Sequence, residues 1–175
     1  NLQTDYLDVM LLHRPDLLMD PDEVAEAFEL LYSSGKVRSF GVSNFTSSQI
    51  KLLQSTVPVG VHQLEISVKD VSAFDDGRLD QCTLDGIVPM AWSPLGGGNL
   101  PEGVASVLGS LASEFGVTPQ AIALAWLLQH PAGILPVIGT TKAENLEAAQ
   151  TALNIKLDRQ QWYTIYQAAT GIRLP

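Results

Sequence analysis

YLDVMLLHRPD, from Tyr6 to Asp16, is the stretch that decides the fold of this chain. Its apolar run Val9–Leu12 ends abruptly in a histidine, an arginine and a proline. Such a run is typical of a parallel strand that is buried on both faces and emerges at a polar rim. Because α/β proteins place their chemistry at the C-terminal ends of parallel strands, His13 is the first candidate functional residue.

The pattern of a strand followed by a helix occurs five times along the chain. The predicted strands are Leu7–Leu12, Val37–Val42, Val61–Ile66, Ile87–Ala91 and Leu135–Ile138. This alternation predicts an α/β fold with parallel strands and right-handed crossovers. No linker or low-complexity segment divides the chain, so we predict a single domain over residues 1–175.

Polar residues follow the C-terminal ends of all five predicted strands. They are His13, Ser43 and Asn44, Gln63 and Glu65, Trp92 and Ser93, and Thr140–Lys142. An open doubly wound sheet would concentrate its site at one switch point. Five neighbouring strand ends that share one rim are instead the layout of a TIM-barrel face. The sequence therefore predicts (β/α) units of a TIM barrel.

The composition argues against several classes of partner. The 19 acidic and 10 basic residues give a net charge of -9, so nucleic acids and anionic membranes would be repelled. No stretch approaches the roughly 20 apolar residues of a membrane span, and no signal peptide is visible. The single cysteine, Cys82, excludes an internal disulfide and fits a reducing cytoplasm.

Several blocks of sequence resemble the aldo-keto reductase family. They are Asp5–Asp16, Gly35–Arg38, Gly41–Phe45, Gln63–Glu65, Trp92–Gly96 and Val137–Lys142. The resemblance implies a TIM barrel that uses NADPH without a Rossmann fold and reduces aldehydes and ketones to alcohols. The blocks cover essentially the whole chain and are similar to the second half of that barrel, strands four to eight.

The resemblance implies a role for each residue at the rim. His13 would be the histidine of a catalytic tetrad and would polarise a small carbonyl substrate. Ser43, Asn44 and Gln63 would hold the nicotinamide carboxamide, which needs both donors and acceptors. Trp92 would offer a flat platform for the nicotinamide ring. Judged from the residues alone, a rim histidine bonded to a backbone carbonyl, turn and cap chemistry, and core packing of the tryptophan remain alternatives.

Two further segments resemble the family's phosphate-binding elements. Glycines let backbone N–H groups approach phosphate oxygens, and a helix N-terminus favours negative charge. The residues implied for the pyrophosphate are Ser93, Leu95 and Gly96, and those implied for the adenosine 2′-phosphate are Gly139, Thr140, Thr141, Lys142 and Asn145. Many members carry an arginine at the position of Asn145, so NADP(H) is only weakly favoured and NAD stays open. A flexible glycine loop and an ordinary helix cap are the alternatives.

The other histidines and the cysteine are predicted to be structural. His130 follows a helix, where a protonated ring would suit the helix dipole. His62 and Cys82 are interpreted as packing residues. No group of His, Cys and carboxylate residues has the spacing of metal ligands, so no metal is expected.

Five parallel strands do not close into a barrel, and the open edges would leave backbone groups unpaired. The tetrad's Asp, Tyr and Lys belong to strands that this chain does not match, which leaves His13 as the one tetrad residue carried over. We therefore expect a half-barrel that is completed either by self-association, with a C2 homodimer as the default, or by a missing N-terminal half. Two hypotheses follow: an NADP-dependent carbonyl reductase, or an inactive half-barrel homo-oligomer that still binds the dinucleotide.

Overall fold

Residues 3–173 are described by a computed structural model of the chain. Five parallel strands form one sheet in the order β1-β2-β3-β4-β5. Their bounds are β1 Leu7–Leu12, β2 Val37–Ser43, β3 Val61–Glu65, β4 Val88–Trp92 and β5 Leu135–Pro136. The predicted α/β fold with five parallel strands is confirmed.

Helices follow each strand in the described part of the chain. They are α1 Pro21–Ser33, α2 Ser47–Gln54, α3 Ser72–Asp75, α4 Arg78–Asp85, α5 Glu102–Phe115, α6 Pro119–Leu128, α7 Ala143–Gln150 and α8 Arg159–Thr170. Four helices, α1, α2, α6 and α8, have a side-chain cap at the N-terminus. The side chains that accept a hydrogen bond from a backbone N–H of the first turn are those of Asp20, Thr46, Thr118 and Asp158. These caps satisfy donors that a helix N-terminus leaves without partners.

Four of the five strands differ from the predicted bounds. β2 and β3 differ by one residue at the C-terminal end, β4 is shifted by one residue at both ends, and β5 ends at Pro136, two residues earlier than predicted. The N–H of Val137 nevertheless donates to the Ala91 carbonyl at 2.8 Å. α3 is a short helix of four residues, and α7 ends at Gln150 and continues as the 3-10 turn Thr151–Asn154.

Strand register assigns alternate residues to opposite faces of the sheet. Phe40, Val42, Leu64 and Ala91 lie on the face that packs against the helices. The other face, which we call the inner face, carries the residues between them: Val9, Leu11, Ser39, Gly41, Val61, Gln63, Glu65, Val88, Met90, Trp92 and Leu135. In a barrel of parallel strands, such residues fill the interior.

Two clusters of buried side chains lie between the sheet and the helices. One joins β2 to α1, α2 and α4 around Phe28 and Phe40, whose rings stack with centroids 3.8 Å apart. The larger cluster joins β3 and β4 to α5, α6 and α8 around the fully buried Trp126. Burial of this apolar area is the main term that stabilises the helix layer on the sheet.

The prediction that β1 is buried on both faces is wrong. Val9 is 41% exposed, and Asp8 is exposed and forms an ion pair with Arg38 at 2.9 Å. The reason is that β1 is an edge strand, paired only with β2 among the described residues. On the same inner face Val88 and Leu135 are 39% and 49% exposed, so residues 3–173 leave this apolar face open.

Candidate functional site

The polar strand-end residues gather at the C-terminal edge of the sheet. Ser43 lies beside Gln63 in the register of β2 and β3. Leu12 lies beside Val42 in the register of β1 and β2. His13 is the next residue after Leu12, so it extends the row formed by Ser43 and Gln63. Ser43 is 2% exposed, whereas the imidazole of His13 is exposed to solvent. The structure thus brings His13, Ser43 and Gln63 to one rim of the inner face, as the sequence predicted.

Asn44 connects this rim to Trp92. Its Oδ1 accepts a hydrogen bond from the indole Nε1–H of Trp92 at 2.9 Å, and its Nδ2 donates to the Ser43 hydroxyl at 3.0 Å. The backbone N–H of Asn44 donates to the Gln63 carbonyl at 2.9 Å. Both ends of the Asn44 amide are therefore engaged within the chain. The backbone of Asn44 forms a turn with φ +61° ahead of α2, and its side chain in addition reaches another strand end.

The segment after β4 is an ordered turn. Ser93 has φ +50°, and the N–H of Gly96 donates to the Ser93 carbonyl at 2.8 Å. Gly96 itself is buried, and a Cβ at this position would lie 3.0 Å from atoms of Lys69 and Leu100. The close approach and the positive φ of +60° together require glycine here. The turn therefore fixes the path of the loop from Trp92 to Gly98.

A cavity of about 610 Å³ opens beside this turn. Its volume lies in the range of small-molecule sites, about 300–1,000 Å³. Among the predicted site residues, those that line it are Trp92, Ser93, Leu95, Gly139 and Thr140. Sequence reasoning missed the rest of the lining, which includes Leu100, Leu108, Pro119, Gln120, Ala123 and Ile138. Four of them come from the N-terminal halves of α5 and α6, whereas Leu100 precedes α5 and Ile138 follows β5. No pattern in the sequence indicates that the two helices approach the end of β5.

The hydroxyl of Thr140 organises the segment from Thr140 to Asn145. It accepts from the backbone N–H of Lys142 at 3.2 Å and from Nδ2 of Asn145 at 3.0 Å. Thr141, Lys142 and Asn145 are exposed, and α7 begins directly after Lys142 without a side-chain hydrogen bond to its first turn. The side-chain cap that the alternative required is therefore absent at the start of α7.

A second and larger cavity, about 810 Å³, lies away from the strand ends that carry the polar residues. It is lined by α1, the start of β2 and the loop from Thr56 to Gly60. None of the predicted site residues lines it. By size alone, this cavity would be the better candidate for a ligand site. The smaller cavity is favoured because the polar strand ends and the turn from Ser93 to Gly96 lie beside it.

His62 and Cys82 lie in the core between β3 and α4, as predicted for structural residues. Burial, with a smaller contribution from the charge of Arg78, lowers the pKa of His62 to about 4. Burial likewise raises the pKa of the Cys82 thiol to about 11. The Cys82 sulfur lies 4.0 Å from Nδ1 of His62. A buried neutral thiol is a poor nucleophile, so this pair offers no catalytic chemistry.

The predicted dipole role of His130 is wrong. Its Nδ1 accepts a hydrogen bond from the N–H of Ala132 at 3.2 Å, which requires an unprotonated nitrogen. Burial lowers the pKa of His130, and the ring packs edge-on against Phe74. The imidazole is thus a neutral packing group rather than a cation at the helix end.

Among residues 3–173, no three His, Cys, Asp or Glu side chains are grouped so that they could hold a metal ion. No single described helix is long and apolar enough to span a membrane. The pair α5 and α6 has the required length and composition only together, with a bend of 95° between them.

The sequence blocks and the strand-end geometry agree with one family. A sequence model described as the Aldo/keto reductase family matches residues 1–170. The chain belongs to the aldo/keto reductase family. Its five parallel strands and their helices are accordingly part of the TIM-barrel architecture of that family. The solved aldo/keto reductase from Klebsiella pneumoniae in complex with NADP and acetate superposes with a TM-score of 0.84 at 30% identity. The match covers 94% of this chain and 59% of that one.

Curated relatives within the family are oxidoreductases. The "Uncharacterized oxidoreductase YcsN" of Bacillus subtilis is 45% identical over 100% of this chain and 62% of its own length. The "6-dehydroglucose reductase" of Novosphingobium aromaticivorans is 43% identical over 99% of this chain and 60% of its own length. The chain therefore spans about three fifths of the length of the curated relatives that it matches.

Proposed function

We propose that this chain forms the cofactor-binding part of an NADP(H)-dependent reductase of aldehydes and ketones. The observation that carries the proposal is the position of Trp92. Its indole N–H is bound to Asn44 at the strand-end rim, and its side chain lines the 610 Å³ cavity. The Trp92 ring thus connects the polar rim to the cavity. A relative solved with NADP supports the choice of cofactor.

The residues present fit a dinucleotide. Ser43 and Gln63 offer a hydroxyl and a carboxamide to the nicotinamide amide, and the turn from Ser93 to Gly96 offers backbone N–H groups to a pyrophosphate. Leu100, Leu108, Ala123 and Ile138 give the cavity an apolar wall that suits a flat base. The segment Gly139–Lys142 with Asn145 is proposed to hold the 2′-phosphate, with Lys142 as its cation. When bound, NADPH supplies the hydride.

His13 is proposed to polarise the substrate carbonyl from the rim. Hydride transfer also needs an acid within hydrogen-bond reach of the carbonyl oxygen. The four tyrosines of the chain lie elsewhere: Tyr6 before β1, Tyr32 in α1, and Tyr163 and Tyr166 in α8. We therefore infer that the 175-residue chain by itself binds cofactor without turnover. The missing groups of the tetrad would come from further strands of a longer protein.

The substrate is proposed to be a small carbonyl compound. Relatives from Novosphingobium aromaticivorans and Agrobacterium fabrum, 43% and 41% identical, are both named 6-dehydroglucose reductase. This makes 6-dehydroglucose the first aldehyde to test. With a net charge of -9, the chain is proposed to act in the cytoplasm on such small molecules rather than on nucleic acid or membranes.

The proposal is tested by titrating the chain with NADPH and NADH while following tryptophan fluorescence. We expect saturable binding that is tighter for NADPH. Lys142→Gln should weaken NADPH binding about tenfold or more, since a hydrogen bond to a charged group contributes about 1.5–3 kcal/mol, and leave NADH binding unchanged. The matched control is Lys156→Gln, which changes the same charge outside the site. Absence of saturable binding would refute the cofactor assignment.

An oxidation assay with NADPH and 6-dehydroglucose tests the inferred lack of turnover. We expect no aldehyde-dependent NADPH oxidation by the chain alone. Turnover at an ordinary enzymatic rate, about 1–10³ s⁻¹, would show that the chain contains its own acid and would refute the inference.

Self-association is a second proposal, and it rests on the open inner face. Val9, Val88 and Leu135 are each about two fifths to one half exposed on that face, beside the unpaired edge of β1. Exposed apolar faces and strand edges favour association. We propose that the isolated chain forms a homodimer with C2 symmetry through this face.

Sedimentation equilibrium should give a dimer mass for the native chain. Val9→Glu combined with Leu135→Glu should shift the mass to that of a monomer, because charges would be buried at the interface. Leu84→Glu is the matched control, since Leu84 is 84% exposed on α4, away from the inner face. A stable, well-folded monomer of the native chain would contradict the dimer proposal.

A further inference from the structure

The hydrogen bond between Asn44 and Trp92 joins the ends of two strands that are not neighbours. Asn44 directly follows β2, and Trp92 is the last residue of β4, with β3 between them. Adjacent strands lie about 4.8 Å apart, so the two strand ends are separated by roughly 10 Å. The two side chains close this gap with an Nε1···Oδ1 distance of 2.9 Å. The bond therefore crosses over the end of β3.

The direction of the Asn44 amide is fixed by its partners. An indole N–H can only donate, so the oxygen of the amide must face Trp92. The Nδ2 group then faces the hydroxyl of Ser43 at 3.0 Å. The backbone is also held, because the N–H of Asn44 donates to the Gln63 carbonyl and φ is +61°. Asparagine is one of the few residues that tolerate this left-handed conformation.

We propose that Asn44 is a positioning residue that sets the orientation of the Trp92 ring. The indole carries a single polar atom, and Asn44 accepts its only N–H hydrogen bond. Rotation of the ring about its side-chain torsions would break this bond. The half-buried Trp92 ring is thus held in one orientation before a ligand binds. Binding then does not carry the entropy cost of ordering this side chain.

This role adds to the direct carboxamide contact implied by the family resemblance. The bonds to Trp92 and Ser43 use one lone pair of Oδ1 and one hydrogen of Nδ2, and each group keeps a second one. The proposal rests on the proposed cofactor site, because the platform matters only if a ring is stacked on it. A phenylalanine at position 92 would offer a similar ring without the N–H, which makes the role of Asn44 separable by mutation.

The first experiment needs no ligand. Hydrogen exchange of the three indole N–H groups is followed by NMR in the native chain, in Asn44→Gly and in Asn44→Asp. Glycine keeps the positive φ but removes the acceptor, whereas aspartate keeps an acceptor oxygen. We expect exchange at Trp92 to become about tenfold faster in Asn44→Gly, the loss expected for one hydrogen bond, and to stay slow in Asn44→Asp.

Two internal controls are present in the same spectrum. Trp126 and Trp162 donate their indole N–H groups to each other's backbone carbonyl, at 3.1 and 3.0 Å. Their exchange should be the same in all three proteins, which would show that the fold is intact. Unchanged exchange at Trp92 in Asn44→Gly would overturn the proposal.

The second experiment asks whether Asn44 acts through Trp92. NADPH dissociation constants are measured for the native chain, Asn44→Gly, Trp92→Phe and the double variant. We expect Asn44→Gly to weaken binding about 5-fold in the native background, since one neutral hydrogen bond is lost. In the Trp92→Phe background the same change should cost clearly less, because the part of the loss that acts through Trp92 is already gone. An equal loss in both backgrounds would show that Asn44 acts only by direct contact with the cofactor and would overturn the proposal.

The two experiments also separate this proposal from the proposed function. If the native chain does not bind NADPH, the cofactor assignment fails, and with it the use of Trp92 as a platform. The exchange measurement would still decide whether Asn44 fixes the ring of Trp92.

Discussion

Acidification from pH 6.5 to pH 4 is expected to destabilise the folded chain by about 3 kcal/mol through His62 alone. His62 is fully buried in β3, and its Nε2 has no hydrogen-bond partner with good geometry within residues 3–173. Burial lowers the pKa of the folded-state imidazole to about 4, from an ordinary value of 6.5. Between these two values the unfolded chain binds a proton that the folded chain does not. Stability is therefore complete above pH 6.5 and is lost as the pH falls towards 4.

Urea denaturation at a series of pH values measures this effect. Acidic residues also titrate in the lower part of the range, so the native chain is compared with His62→Met, which fills a similar volume with a group that does not titrate. The difference in unfolding free energy between the two proteins should change by about 3 kcal/mol between pH 6.5 and pH 4. A difference that stays constant with pH would contradict the prediction. Asp76 and the backbone near Phe45 oppose the shift, whereas Arg78 adds to it.

Gly41→Ala is expected to cost at least about 1–3 kcal/mol, the usual effect of forcing extra atoms into a packed site. A Cβ at Gly41 would collide with the backbone carbonyl oxygen of Val61 and would lie 2.6 Å from Cδ2 of Leu11. Because the carbonyl belongs to β3, relief requires β2 and β3 to move apart. Ser43 and Gln63 are paired two residues further along the same strands. The change should therefore disturb the site rim as well as the stability.

Gly109→Ala is the matched control for this change. Gly109 lies inside α5, and nothing lies within 4 Å of a Cβ at that position. Alanine in a helix interior is favoured over glycine by about 0.5–1 kcal/mol, so this variant should be more stable than the native chain. Thermal or chemical denaturation of both variants gives the signs directly. A Gly41→Ala variant that is as stable as the native chain, or more stable, would show that the close approach of β2 and β3 at Gly41 is not rigid.

The five strands could be predicted from the sequence because each is a short segment with buried apolar residues that ends in polar ones and is followed by a helix pattern. Side chains along a strand alternate between the two faces of the sheet with a period of two residues. The position of His13, Ser43 and Gln63 on one face was therefore also predictable. Helix starts at Asp20, Thr118 and Asp158 were visible because cap chemistry is local. These features depend only on neighbours in the chain.

The wrong or missed predictions concern residues whose surroundings depend on elements that are distant in the sequence. Val9 has the composition of a buried strand residue, but its exposure depends on whether another strand lies beside β1. His130 follows a helix, but its ring accepts from Ala132 and packs on Phe74, and burial lowers its pKa. The apolar wall of the cavity comes from α5 and α6, whose approach to β5 is set by packing of the whole helix layer.

The sequence by itself determined the family, the order of the strands and the set of residues at the rim. The tertiary structure decided what those residues do to one another. Asn44 and Trp92 are 48 positions apart, and their hydrogen bond exists because β2, β3 and β4 pair in register and end at the same edge. A hydrogen bond depends on distances of tenths of an ångström. Local sequence patterns specify which groups reach the rim, but only the assembled sheet sets such distances.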